Sequence, residues 1–181
     1  DLTITGTTGA GLRNTAGKVT VENLKIENVG SHTLYISGGE TKLTNATIGK
    51  TGTNNVALHD GKLTLVNAEI LGHVQTAPGD AHAIFVYGGA LELDTVTITG
   101  TTGSALRVKA GTANAKNLTL DTIGGSAINI SGGKTVIDAV STANVGTNNI
   151  SIWGDALVQI SNAQLCATKT HNVRVETGAL I

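Results

Sequence analysis

The residues best equipped for chemistry fall into two columns of the sequence. One column reads Arg13, Tyr35, Ala57, Phe85, Arg107, Asn129, Ser151 and Arg174; the other reads Thr15, Ser37, His59, Tyr87, Lys109, Ser131, Trp153 and Glu176. Most steps within a column are 22 residues, and the two columns run two residues apart. All four aromatic residues of the chain, Tyr35, Phe85, Tyr87 and Trp153, belong to them. Sugar rings stack on aromatic faces, and arginine and lysine engage acidic groups, so such a strip has the makings of a polysaccharide-binding face. It also has the makings of an acidic-polysaccharide lyase or epimerase. That reaction needs a cation against the substrate carboxylate, a base for the ring proton and an acid for the leaving oxygen. Arg107, Lys109 or His59, and Tyr87 carry those chemistries. A third reading is purely structural: aromatics favour strands and pack on cross-strand neighbours, with Phe85 and Arg107 as a cation–π pair.

Other chemistries find less support. A glycoside hydrolase needs two carboxyls within about 10 Å. Of the acids nearest the strip, Asp60, Asp155 and Glu176, the first two are expected four repeats apart, about 19 Å at the interstrand spacing. His59, His73 and His82 with Asp60 and Asp80 match no tight metal-ligand spacing and read as solvated loop residues. The outward column Lys25, Thr47, Glu69, Thr97, Thr119, Ser141, Gln164 is too irregular for an ice-binding threonine array. Cys166 is the lone cysteine and lacks a local base, so it reads as a structural thiol. No cofactor motif or phosphate-cradling loop is present.

The columns exist because the chain repeats. Gly17, Gly39 and Gly61 are 22 residues apart, and Gly89, Gly111 and Gly133 continue at the same step. The interval from Gly61 to Gly89 is six residues longer, which places an insertion in the segment Gly72–Ala81, just before Phe85. This insertion is expected to wall one side of a groove near His59, Tyr87 and Lys109. Around each marker glycine, apolar residues alternate with polar ones at a period of two, the strand signature. Before it lie Leu12, Leu34, Val56, Ile84, Leu106, Ile128 and Ile150; after it come Val19, Leu63 and Leu91, then Val21, Leu43, Leu65, Leu93 and Ile137. A further column holds Ile4, Ile26, Ile48, Ile70, Ile98, Leu120 and Leu165. Three short strands per repeat, each with its own inward column, predict one turn of a parallel β-helix. About eight turns stacked at about 4.8 Å give a rod of roughly 35–40 Å.

Asn23, Asn45, Asn67, Asn117 and Asn162 form one more column, interrupted by Thr95 and Ala139. Asparagine tolerates left-handed backbone geometry and its amide can bond to the next in a stack, so this column predicts an interior asparagine ladder at one corner. Asn45-Ala-Thr and Asn117-Leu-Thr match the glycosylation acceptor pattern, but an interior ladder amide would not carry a glycan.

With its G…(V/L)-x-(V/L)-x-N-x-x-I repeat running through essentially the whole chain, the sequence resembles the right-handed parallel β-helix superfamily. That group includes pectate-lyase-like enzymes, autotransporter passenger domains and bacterial surface proteins. The resemblance implies an all-β, right-handed, single-stranded solenoid and a secreted or surface-exposed bacterial protein. It does not choose a function, because one fold hosts several.

Composition agrees. Of 181 residues, 40% are hydrophobic and only 14% charged, with 24 glycines and one proline. A helical bundle would not tolerate that glycine content, and a disordered chain would not carry so many aliphatics. The formal net charge of −1 argues against a phosphate-backbone binder, so no nucleic-acid partner is expected. No apolar run approaches the roughly 18 residues of a membrane-spanning helix, so this segment is not expected to insert in a membrane. The chain begins at Asp1 and contains no methionine, so any targeting peptide is expected to lie outside it. Both ends enter part-way round a repeat without a polar cap, which predicts a single domain, 1–181, cut from a longer β-helix or covered at its ends by further turns or subunits. The sequence therefore points to a rigid extracellular stalk or adhesin-like module. Its candidate ligand is polysaccharide, held by Tyr35, His59, Phe85, Tyr87, Arg107, Lys109 and Trp153; the lyase or epimerase and the ligand-free rod are the alternatives.

Overall fold

The computed structural model describes residues 1–72, 81–177 and 179–180. Its strands are Leu2–Thr5, Leu12–Asn14, Lys18–Glu27, Leu34–Ile48, Val56–Leu71, Ile84–Val86, Ala90–Thr101 and Leu106–Val108. They continue as Thr112–Ile123, Ile128–Ile130, Lys134–Val145, Ile150–Ile152, Leu157–Gln164, Val173–Val175 and Ala179–Leu180. Every strand pair is parallel, and the register repeats the sequence period: Leu34 pairs with Val56, Val56 with Ile84, Ile84 with Leu106, and Leu106 with Ile128. The chain is an all-β solenoid of about eight stacked coils of about 22 residues.

Each coil has three sides. The first is the short strand carrying the candidate site, such as Ile84–Val86; the second and third follow the marker glycine. The expected three short strands are not three separate elements. The second and third sides form one long strand, such as Ala90–Thr101, which bends at a single left-handed residue, Thr95 (φ 57°). In Leu34–Ile48 and Val56–Leu71 all three sides run on without a break. One residue in the left-handed region turns the chain while the flanking amides stay in the ladder, so hydrogen bonding survives the corner.

The alternating pattern places one face of every side inward. Leu34, Val56, Ile84 and Leu106 are fully buried on the first side, Leu63 and Leu91 on the second, and Ile26, Ile48, Ile70, Ile98 and Leu120 on the third. Each such aliphatic side chain contributes about 1.5–3 kcal/mol by leaving water. Burial is repeated coil after coil, so the stack is stiffened along its length by the same contacts that hold each coil.

The asparagine column sits at the bend between the second and third sides, and its members at 23, 45, 67, 117 and 162 all have φ between 51° and 55°. Asn45 Nδ2 donates to Asn23 Oδ1 (3.1 Å), and Asn67 Nδ2 donates to Asn45 Oδ1 (2.7 Å). The ladder is exposed, however, not interior. The left-handed backbone throws these side chains off the outside of the corner, so burial gives no ground for excluding a glycan there. A second left-handed corner, Asn28, Thr122 and Asn144 with Gly6 and Gly100, lies where the third side ends; the sequence pattern did not single it out.

Candidate functional site

The first side of the solenoid presents the candidate residues. Alternation turns Leu58, Val86 and Val108 inward, which leaves His59, Tyr87 and Lys109 to face out after them. The backbone sets their spacing: Tyr87 N donates to Leu58 O (2.8 Å), and Lys109 N donates to Val86 O (2.8 Å). Side chains one coil apart are thereby held about 4.8 Å from one another, which is the stacking distance of flat rings.

The rings use that distance. Tyr35 and His59 lie with centroids 5.0 Å apart and tilted by 38°. His59 and Tyr87 are 4.3 Å apart and nearly parallel, at 5°. Tyr87 then covers Phe85, with centroids 3.7 Å apart and planes at 19°. Ala57, the small residue in the first column, leaves the gap between Tyr35 and Phe85 in which the second-column ring of His59 sits.

Guanidinium groups flank the row. Arg13 lies over Tyr35, 5.2 Å from its centroid. The Arg107 guanidinium carbon is 5.5 Å from the Phe85 ring and 5.6 Å from the Trp153 ring, so this cation lies between two aromatic faces. Trp153 is fixed in turn by its indole Nε1, which donates to Asn129 Oδ1 (2.9 Å). Lys109 is exposed and makes no ion pair among the described residues. At the far end Arg174 pairs with Glu176.

All seven predicted site residues therefore fall on one side of the solenoid, but not all present a face to solvent. Phe85 is only 5% exposed, because Tyr87, Arg107 and the edge-on ring of His82 pack against it, while Trp153 is 38% exposed. Phe85 serves as a platform under Tyr87 and Arg107. The sequence did not assign Arg13 and His32 to the site. His32 stands 5.6 Å from Tyr35, with its Nδ1 3.0 Å from the carbonyl oxygen of Asn54, in the corner that leads into the His59 strand. It comes from the corner preceding the strand, where period-two alternation has no meaning, so no pattern could place it.

Burial, and then the charge of nearby His32, lowers the His59 pKa from its ordinary value. The imidazole in the stack is therefore neutral at neutral pH. The adjacent Asp60 accepts a hydrogen bond from the Gly61 amide at Oδ1 (2.7 Å). Among the described residues no group of three or more histidine, cysteine or acidic side chains could hold a metal ion. Of the inserted segment, residues 73–80 lie outside the described residues, and so does the groove wall expected there.

Five wells on the surface lie away from the strip: one of about 460 Å³ at the corner with Gly100, Thr122, Asn144 and Lys169, another of about 420 Å³ on the charged second side with Lys62, Glu92, Asp94 and Lys116, and three smaller ones. None of the five is lined by a strip residue. A row of rings and cations along one side of the solenoid suits lateral contact with an extended ligand. In comparisons with family models, curated proteins and solved structures, the chain matches none.

Proposed function

We propose that the chain is a rigid binding module of a stalk or adhesin, and that its first side holds a polysaccharide at the cell surface or outside the cell. The observation that carries this reading is the unbroken row Tyr35, His59, Tyr87, Phe85, with Arg13 at one end and Arg107 and Trp153 at the other. From Tyr35 to Trp153 the row crosses five coil steps, about 24 Å at the interstrand spacing. A ladder of parallel strands keeps these rings at fixed intervals, so little ordering entropy is lost when an extended chain lies along them. The extracellular setting follows the resemblance to surface β-helices.

Lyase chemistry is the weaker reading of the same face. Arg107, its carboxylate-neutralising candidate, already lies against the Phe85 and Trp153 rings, at 5.5 and 5.6 Å from their centroids. Titrating the protein with neutral and acidic polysaccharides while following Trp153 emission and ultraviolet absorbance separates the readings. A saturable emission change without new absorbance supports the binding module. New absorbance from unsaturated sugar products would establish the lyase, and no response to any polysaccharide would leave a structural rod.

A further inference from the structure

Three groups able to carry positive charge converge on one ring. Around Tyr35 stand the Arg13 guanidinium at 5.2 Å, the His59 imidazole at 5.0 Å and the His32 imidazole at 5.6 Å. Arg13 and His59 come from the coils on either side of Tyr35 and His32 from the corner before the Tyr35 strand, so the cluster is invisible in any single stretch of sequence. We propose that the Tyr35 end of the strip is a proton-gated site for sulfate or carboxylate groups carried on a polymer, with Arg13 as its permanent charge and His32 and His59 as its gate.

The inference rests on the first side being a binding face, and it adds the ligand class and its control. Burial and the charge of His32 favour the neutral form of His59, whereas Arg13 is a permanent charge at this end. Protonation of the two imidazoles would set three cations around a single ring, which then favours an anion for the same reason that it disfavours itself. Coulomb repulsion between His32 and His59 already opposes charging of His59 in the free protein. A bound anion relieves that repulsion, so binding must take up protons by linkage. The other groups facing His59 are Tyr35 from the preceding coil and Tyr87 from the following coil, with Asp60 beside it and paired across the bulge with Ser37. Asp60 is held to the Gly61 amide, and the cations Arg107 and Lys109 lie further along the same side.

The test uses dextran sulfate, which stays anionic across the range, beside polygalacturonate as the carboxylate probe and uncharged dextran as the control. Binding to the intact chain is measured calorimetrically at about pH 7.5 and about pH 5.5, on either side of the ordinary histidine value. Affinity for dextran sulfate is expected to rise about tenfold or more at the lower pH, with net proton uptake, while dextran shows no such step. A carboxylate-specific site would show the step with polygalacturonate alone. The His32→Gln/His59→Gln double variant should lose the step, and His59→Lys should bind tightly at both pH values. His171→Gln, in the last coil, controls for overall charge and should keep the step; circular dichroism checks that each variant is folded. Absence of a step, or a step that survives in the double variant, would overturn the proposal. The binding-face reading fails on a different result, the absence of any polysaccharide binding at neutral pH.

Discussion

His59 and Tyr87 lie face to face across adjacent coils, with ring centroids 4.3 Å apart and planes within 5°. The parallelism is imposed by the solenoid: the two side chains leave neighbouring parallel strands in the same direction, and the strand spacing is close to the contact distance of aromatic rings. Tyr87 also caps Phe85, so a single side chain joins the two columns of the strip. Removing it should damage the site and the scaffold together. Tyr87→Ala is expected to destabilise the chain by about 1–2 kcal/mol, the worth of two aromatic pairs, and to weaken polysaccharide binding by at least about tenfold. Tyr87→Phe keeps the stack and should retain stability, so any binding it loses reports on the hydroxyl. Urea unfolding and a binding titration on the same samples separate the two effects.

Arg107 is the second joint. Its guanidinium lies between Phe85 and Trp153, side chains three coils apart along the axis, and its Nε is buried without a hydrogen-bond partner. Such an arrangement favours a planar, weakly hydrated cation, which arginine is and lysine is not. Arg107→Lys is therefore expected to behave like a deletion, with a loss of about 1–2 kcal/mol for two cation–π contacts. The sharper readout is Trp153, the only tryptophan. With Arg107 replaced by alanine its indole should become more accessible to acrylamide quenching. Unchanged quenching would show that Trp153 is held by Asn129 alone.

The breaks in the asparagine ladder offer a gain. Ala139 (φ 58°) and Thr95 (φ 57°) occupy the left-handed corner that asparagine fills in the neighbouring coils. A non-glycine residue there costs on the order of 1–2 kcal/mol, least for asparagine, whose short polar side chain bonds locally. Ala139→Asn and Thr95→Asn should each stabilise the chain by about 1 kcal/mol, by easing backbone strain and by joining the amides of Asn67, Asn117 and Asn162 into a longer ladder. The double variant should be additive or better. A fall in stability for both would mean that the ladder amides are better satisfied by water than by one another.

The marker glycines separate two demands that coincide at most corners. Gly17 (φ 81°) and Gly111 (φ 82°) share one backbone conformation, but a Cβ on Gly17 would meet nothing within 4 Å, whereas one on Gly111 would run into the carbonyl of Gly89 in the coil before. Gly17→Ala should therefore cost about 1–2 kcal/mol from conformation alone. Gly111→Ala should cost clearly more, because the coils must part to admit it. Equal costs, measured by thermal unfolding, would show that stacking at this corner is loose.

How much of this was legible depended on whether a residue's job is repeated. Leu34, Val56, Ile84 and Leu106 do the same work in successive coils, so the period alone predicted both their burial and their register. The outward strip followed from the same alternation. Exposure did not: Phe85 points outward yet is buried, because Tyr87, Arg107 and the edge-on ring of His82 pack against it, a convergence that spacing does not show. The asparagine ladder was read correctly as a column and wrongly as interior, since the sign of φ that selects asparagine also decides which way it points. His32 and Asn54 were missed because they sit in the corner, where the chain follows no two-residue period.

Acid should undo the solenoid in two separate windows. His59 has a pKa depressed by burial and by His32, so the unfolded chain binds more protons there than the folded one as pH drops. Its contribution is fully present above 6.5, the ordinary histidine value, and is lost as pH falls through the lower folded value. Asp138 is shifted in the same direction by different causes: hydrogen bonds first from Ser161 (2.8 Å) and then from Asn162 (2.7 Å) favour its charged form. Its contribution holds above 3.8, the ordinary carboxylate value, and goes as pH falls through the depressed one. The first window involves the middle of the strip and the second the last coils, so each can be removed alone. His59→Gln should flatten the stability profile near and below 6.5 while leaving the acid limb intact. Ser161→Ala should shift the acid limb to higher pH, because Asp138 is then protonated sooner, and leave the histidine window unchanged. Urea unfolding at a series of pH values tests both. If His59→Gln altered only the acid limb, the neutral imidazole in the stack would not be the group that senses the first window.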